Sequence, residues 1–183
     1  MKRLFIGVPI SEEVKRGLAP LLEKLKATGA DLKLVAGKNL HFTVKFLGEM
    51  EEERISEVPE KIQEALRGIK PFLLPLRGIG AFHSRERINS IWIAAPSKEF
   101  TALMHKVNEQ LHSIRKEDHE EEVPHATLAR VKTGKNKEKL QHLLDEFKNT
   151  DFGTMKVDKM VLYGSELGKE GPVYKVMKEF LMK

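Results

Sequence analysis

The chain has 183 residues, 40% of them hydrophobic and 32% charged. That is the make-up of a soluble globular protein able to bury one core or two small halves of one body, and no apolar run approaches the roughly 20 residues that span a bilayer. There is no cysteine, which excludes disulfides, thiol nucleophiles and thiolate metal sites and makes the cytoplasm the expected address. The 32 Lys and Arg against 27 Asp and Glu leave a net charge of +5, a slight bias toward an anionic partner such as nucleic acid. Abundant Lys and Glu without cysteine would also suit a heat-adapted protein of any function.

The opening "MKRLFIGVPI" reads as a first β-strand over residues 2 to 9 rather than a signal peptide, because charges return at once and no small-residue cleavage site follows. Ser11 is a candidate N-cap, Glu12 and Glu13 complement the helix dipole, and Val14, Leu18, Leu21 and Leu25 fall on one face. Pro20 inside that pattern predicts a kink. After the strand "LKLV" and the stretch "NLHFTVKFLGE", a helix carries Ile55, Val58, Ile62 and Leu66 with Pro59 inside it. "PFLLPLRGIGAFHS" and "INSIWIAAP" read as two strands joined by a turn at "RER". Ser97 starts a helix with Phe100, Met104, Val107 and Leu111 on one side, "HATLARV" follows, and another helix carries Leu140, Leu143, Leu144 and Phe147. A final hairpin joins "MKVDKMVLYGS" to "GPVYKVMKEF" across "ELGKE".

The order of elements repeats. Subtracting 86 carries Ser97, Phe100, Met104, Val107 and Leu111 onto Ser11, Val14, Leu18, Leu21 and Leu25, and subtracting 84 carries His125 onto His41 and Thr127 onto Thr43. The expected architecture is an α+β fold made of one duplicated unit, approximately residues 2–87 and 88–180, forming a single two-lobed domain. The two motif strands would then occupy pseudo-twofold positions facing a shared cleft.

Within a strand, residues two apart share a face. His41, Thr43 and Lys45 would therefore point one way and Phe42, Val44 and Phe46 the other, toward the core. His125 and Thr127 would likewise share a face opposite Ala126 and Leu128. Two histidines and two threonines meeting across a cleft supply a neutral imidazole as base, an imidazolium as acid and two hydroxyls for phosphate oxygens. Phosphoryl transfer fits that inventory, because in-line displacement needs a base on the attacking oxygen and an acid on the leaving oxygen at opposite ends of the phosphorus. The other histidines lack arranged partners. His105 and His112 lie seven apart on one helix, too far for joint ligation; His119 sits in the acidic run "EDHEEE"; His83 and His142 stand alone. No HExxH, GxxxxGK[ST] or GxGxxG pattern occurs, so metal hydrolase, nucleoside triphosphatase and dinucleotide readings find no support.

With "HFTV" and "HATL", and with "RLFIGVPI", "NLHFTVKFLGE" and "PHATLARV" around them, the chain resembles the two-histidine phosphoesterase superfamily. It is most similar to the branch of RNA 2′,3′-cyclic phosphodiesterases, also called 2′-5′ RNA ligases, over residues 2 to about 180. The resemblance implies two pseudo-symmetric lobes, each with an antiparallel sheet and flanking helices, and a basic cleft between them. It implies hydrolysis of an RNA terminal 2′,3′-cyclic phosphate to a 2′-phosphate without metal or cofactor, with 2′-5′ joining as the reverse. By the same resemblance His41 is the proton donor, His125 the proton acceptor, and Thr43, Thr127 and Arg130 bind substrate. Strand alternation places Arg130 opposite His125, so this role requires a bulge or strand end to turn it. Phe5 could contact a base, although both faces of its strand are apolar and core packing is the expectation. The expected partner is RNA with a cyclic phosphate end, such as a tRNA fragment, or a related nucleotide. The protein itself is expected to be a monomer with no membrane or obligate protein partner. Two alternatives are a relative acting on 2′-5′ oligoadenylate or cyclic-phosphate nucleotides, and a non-catalytic RNA-binding module.

Overall fold

The computed structural model describes residues 1–84, 87–115, 124–168 and 171–183. In chain order these form β1 (Lys2–Pro9), α1 (Glu12–Ala27), β2 (Leu32–Leu34), a 3₁₀ turn (Gly37–Asn39), β3 (His41–Met50), α2 (Glu52–Ile55), α3 (Val58–Ala65), β4 (Phe72–Arg77), β5 (Ile79–Ser84) and β6 (Arg87–Ala94). They continue with α4 (Lys98–Leu111), β7 (His125–Val131), α5 (Lys137–Phe147), β8 (Asp151–Val157), β9 (Lys159–Gly168) and β10 (Gly171–Leu181).

The strands pair antiparallel in one sheet of order β10-β9-β1-β3, a second of order β2-β7-β6-β5, and the ribbon β4-β8. Each four-stranded sheet combines strands from both halves of the chain: β9 returns to pair with β1, and β5 pairs with β6. The helices pack on the strands: α4 lies on β3 of the first sheet with α3 beside it, α5 on β5 of the second, and α1 on β8 of the ribbon and against α5. The expected α+β fold with two sheet-and-helix lobes is thus present.

The helices begin where their caps dictate. Ser11 Oγ accepts from the Val14 N–H and Ser97 Oγ from the Phe100 N–H, each such cap typically contributing about 1 kcal/mol. Val14, Leu18, Leu21 and Leu25 of α1, and Phe100, Met104, Val107 and Leu111 of α4, are buried as their spacing predicts. Helix α1 runs as one element through Pro20, whose ring lies on the exposed side. The helix expected around Ile55 to Leu66 is two: α2 ends at Ile55 and Pro59 stands in the first turn of α3, where a missing N–H leaves no bond unmade.

Two long strands are also divided. Gly78, at φ +78°, separates β4 from β5, and a Cβ there would collide with the Lys148 carbonyl oxygen. Asp158 separates β8 from β9. The bends allow β4 and β8 to leave the main sheets and pair with each other. Of the two expected turns, Arg87 belongs to β6 and Glu166–Gly168 to β9; the rest of "RER" and of "ELGKE" lies outside the described residues. No helix among the described residues is long and apolar enough to cross a membrane.

Candidate active site

β3 and β7 lie side by side, with Cα atoms of the two strands within 8 Å of one another. Alternation works as expected at the start of each: Phe42 and Val44 are buried in the core while His41 and Thr43 are half-buried on the other face, and Ala126 and Leu128 are buried while His125 and Thr127 are not.

His41 is held from both sides of its ring. Its Nδ1 lies 2.6 Å from the Asn39 carbonyl oxygen, so Nδ1–H donates there, and Nε2 lies 3.2 Å from Thr43 Oγ1. Fixing the proton on Nδ1 leaves Nε2 as the nitrogen that exchanges protons with anything bound. Burial pushes the imidazole below its ordinary value of 6.5, opposed in part by the Asn39 carbonyl. The ring rests above Gly7, directly across the ladder from Thr43: a Cβ at Gly7 would stand 3.0 Å from the Phe42 carbonyl oxygen and 3.1 Å from His41 Cδ2. Only glycine leaves the imidazole its seat.

An aromatic cluster surrounds this ring. Phe5 lies 4.7 Å from His41 between centroids, Tyr163 stacks on Phe5 at 4.9 Å, and Tyr174 stands edge-on to both Phe5 (4.8 Å) and His41 (5.4 Å). Phe5 is buried, as core packing predicts, and its neighbours on that side are His41 and the two tyrosines, while Leu4, Ile6 and Val8 join the main hydrophobic cluster. Burial raises both phenols above their ordinary range. His125 has an aromatic neighbourhood of its own, Phe82 edge-on at 4.8 Å and Trp92 at 5.8 Å. The Trp92 indole lies over Gly80, where a Cβ would collide with it. The buried Trp92 Nε1–H has no hydrogen-bond partner among the described residues.

Past the threonines both strands bulge. On β7, Ala129 pairs with Ile91 but Thr127 with Trp92, so Leu128 is the extra residue; on β3, Lys45 pairs with Ile6 but Thr43 with Gly7, so Val44 is extra. A bulge of one residue inverts the alternation beyond it. Leu128 and Ala129 are consequently both buried and Arg130 emerges on the face of His125, as the role suggested for it requires. Val44 and Lys45 are likewise both buried and Phe46 is 57% exposed. This corrects two expectations: Lys45 leaves the His41 face, its Nζ donating to Asn108 Oδ1 at 3.0 Å, and Phe46 leaves the core for the face of Phe5, 6.2 Å from that ring.

Arg130 acts electrostatically on the Tyr174 phenol, lowering what burial raises, and Tyr174 in turn touches His41. Residues of the two motifs thus converge around one phenol. His83, His105, His112 and His142 are exposed and apart from this cluster, and His119 lies outside the described residues. Among the described residues no group of three or more His, Asp or Glu side chains is placed to hold a metal ion. The Asn39 carbonyl, Gly7, Tyr163, Tyr174, Phe82 and Trp92 had no sequence signal of their own, being backbone atoms or strand residues distant in the chain.

A duplicated α+β body with a paired His–Thr device on two adjacent strands, each repeated with the same bulge, defines a phosphoesterase of the two-histidine type. The chain belongs to the LigT like Phosphoesterase family, whose model matches it twice, over residues 8–92 and 93–174. A Methanocaldococcus jannaschii protein named RNA 2′,3′-cyclic phosphodiesterase is 37% identical over 178 residues, 97% of this chain and 99% of its own. One of the same name from Methanothermobacter thermautotrophicus is 32% identical over 179 residues, 97% of each chain. The crystal structure of a Thermus thermophilus protein superposes with a TM-score of 0.84 at 28% identity, covering 98% of this chain and 97% of that one.

Proposed function

We propose that the protein hydrolyses the terminal 2′,3′-cyclic phosphate of RNA to a 2′-phosphate. The observation that carries the reading is the repeated His–Thr pair, His41 with Thr43 and His125 with Thr127, on neighbouring strands of a duplicated fold. Near-full-length relatives bearing that activity in their names support it. We take the chain as one two-lobed domain built from a repeat of approximately 2–87 and 88–180.

In the proposed mechanism the Thr43 and Thr127 hydroxyls and the Arg130 guanidinium hold the non-bridging oxygens of the cyclic phosphate. A water attacks phosphorus and gives its proton to His125. The bond from phosphorus to O3′ breaks opposite, and His41 Nε2–H delivers a proton to that oxygen. One water is consumed, and the products are a 2′-phosphate and a free 3′-hydroxyl. Each proton transfer of this kind typically accelerates a reaction about 10²–10⁴-fold. Internal symmetry would permit either histidine in either role, and the family resemblance assigns donor to His41 and acceptor to His125. The hydrogen bond from Nδ1–H to Asn39 suits a donor at Nε2, since it leaves that nitrogen facing the reacting group. His41 is buried, so a bound phosphodiester anion is what would restore its proton, tying acid catalysis to occupancy of the site. Incubating RNA of defined sequence and cyclic terminus with wild-type protein, and locating the product phosphate, tests the proposal. A 2′-phosphate supports it; an unaltered terminus contradicts it.

A further inference from the structure

We propose that Arg3, with the Tyr174 phenol, forms a second phosphate subsite that holds the RNA strand upstream of the reacting phosphate, so that the enzyme favours oligonucleotide ends over cyclic mononucleotides. The inference rests on the phosphodiesterase reading and extends it along the strand.

Its basis is the face of the first sheet. β1 alternates without interruption: Leu4, Ile6 and Val8 enter the core, so Arg3 shares the opposite face with Phe5 and Gly7. Across the ladder Arg3 pairs with Ser165, and Ser165 with Tyr174, which places arginine and phenol on one row two strands apart. Tyr174 is the residue edge-on to His41. Arg3 stands four residues from Gly7, the seat of the His41 ring, a distance of roughly 13 Å at a strand rise of about 3.3 Å per residue. That separates it from the reacting phosphorus by a reach of one or two nucleotides.

The arginine is also available. Arg3 is exposed and makes no side-chain hydrogen bond or ion pair among the described residues. Glu49, opposite it on β3, forms no ion pair with it. The neighbouring Lys2, on the other side of the strand, is taken by Glu52 at 3.0 Å. A guanidinium on the same row as a phenol O–H, near enough to act on it electrostatically, offers donors of the kind that phosphate oxygens accept. The half-buried rings of Tyr163, across the ladder from Phe5, and of Tyr174, edge-on to His41, line this face between Arg3 and His41, and stacking on such rings is tolerant of base identity. The contact would therefore select strand length rather than sequence.

The test compares wild type, Arg3→Gln and Arg3→Lys on 2′,3′-cyclic AMP and on an RNA trinucleotide with a 2′,3′-cyclic end, with melting temperatures measured alongside. Arg3→Gln is expected to lower the ratio of trinucleotide to mononucleotide kcat/KM about tenfold, the loss lying in KM, with Arg3→Lys recovering most of it. The slope of log KM against log salt for the trinucleotide should fall by about 0.7, as for one phosphate contact on a single strand. A ratio within twofold of wild type overturns the subsite. If wild type hydrolyses neither substrate, the phosphodiesterase reading fails separately, and equal Kd values of wild type and Arg3→Gln for the trinucleotide then overturn the subsite.

Discussion

Replacing Gly7 should damage catalysis without touching a reacting group. A Cβ at this position would lie 3.0 Å from the Phe42 carbonyl oxygen, 3.1 Å from His41 Cδ2 and 3.5 Å from Phe5 Cε2, where ordinary contact starts near 3.4 Å. The new methyl overlaps the first two by a few tenths of an ångström. The carbonyl oxygen is fixed in the β1–β3 ladder and cannot yield, so the imidazole must. Its movement strains the 2.6 Å hydrogen bond to Asn39 and the 3.2 Å contact with Thr43. Overpacking of this kind costs about 1–3 kcal/mol, a fall in Tm of roughly 2–12 °C for a chain of this size. Displacing a catalytic group by up to about 1 Å costs as much as about a hundredfold. Gly7→Ala should therefore lower kcat/KM for cyclic-ended RNA about tenfold, and Gly7→Val about a hundredfold, both measured on protein whose circular dichroism matches wild type. Gly7→Val that stays folded and keeps wild-type kcat/KM would refute the claim that this glycine seats the catalytic ring.

Three further outcomes are expected. Burial holds the His41 imidazole below its ordinary 6.5, so its NMR titration in the free protein should have its midpoint below pH 6.5 and should move upward when inorganic phosphate is bound, because an anion favours the imidazolium; a free-protein midpoint at or above 6.5 would contradict the burial argument. In the folding equilibrium the same depression makes the unfolded chain bind more protons, so stability is fully present above pH 6.5 and is lost as pH falls through the folded value. Urea titrations of wild type and His41→Gln should diverge in that window, the variant showing the flatter dependence. Arg130→Gln should reduce kcat/KM about 10–100-fold while leaving Tm within about 2 °C, since Arg130 is exposed; a wild-type rate would remove it from the proposed phosphate site.

Much of the site could be read from the chain because it rests on local rules. Period-two alternation placed His41 beside Thr43 and His125 beside Thr127, and the 84-residue offset joined the two pairs. Serine caps and helical periodicity located α1 and α4. The bulges were harder. In the second motif Leu128 and Ala129 are adjacent apolar residues, a visible break in alternation, but in the first the matching position is Lys45, whose charge argues for the surface. Its burial depends on Asn108 of α4, a partner no local pattern announces. The 84-residue offset itself pairs Lys45 with Ala129 and Phe46 with Arg130, so the repeat held the signal. The aromatic surroundings of the two histidines could not be read, because Tyr163 and Tyr174 reach His41 only through the return of β9 to β1. That pairing is a tertiary fact. The bends at Gly78 and Asp158 likewise follow from where the ribbon β4-β8 must go.

The central claim is that the two histidines act as an acid and base pair on one phosphate. It is tested most directly by incubating RNA bearing a 2′,3′-cyclic end, in the presence of a chelator, with wild type, His41→Ala and His125→Ala, and determining where the product phosphate lies. Wild type is expected to yield a 2′-phosphate, with kcat reduced at least about a hundredfold by each substitution in proteins that remain folded. Wild-type turnover by either variant, a 3′-phosphate product, or activity lost to the chelator and restored by a divalent metal would contradict it.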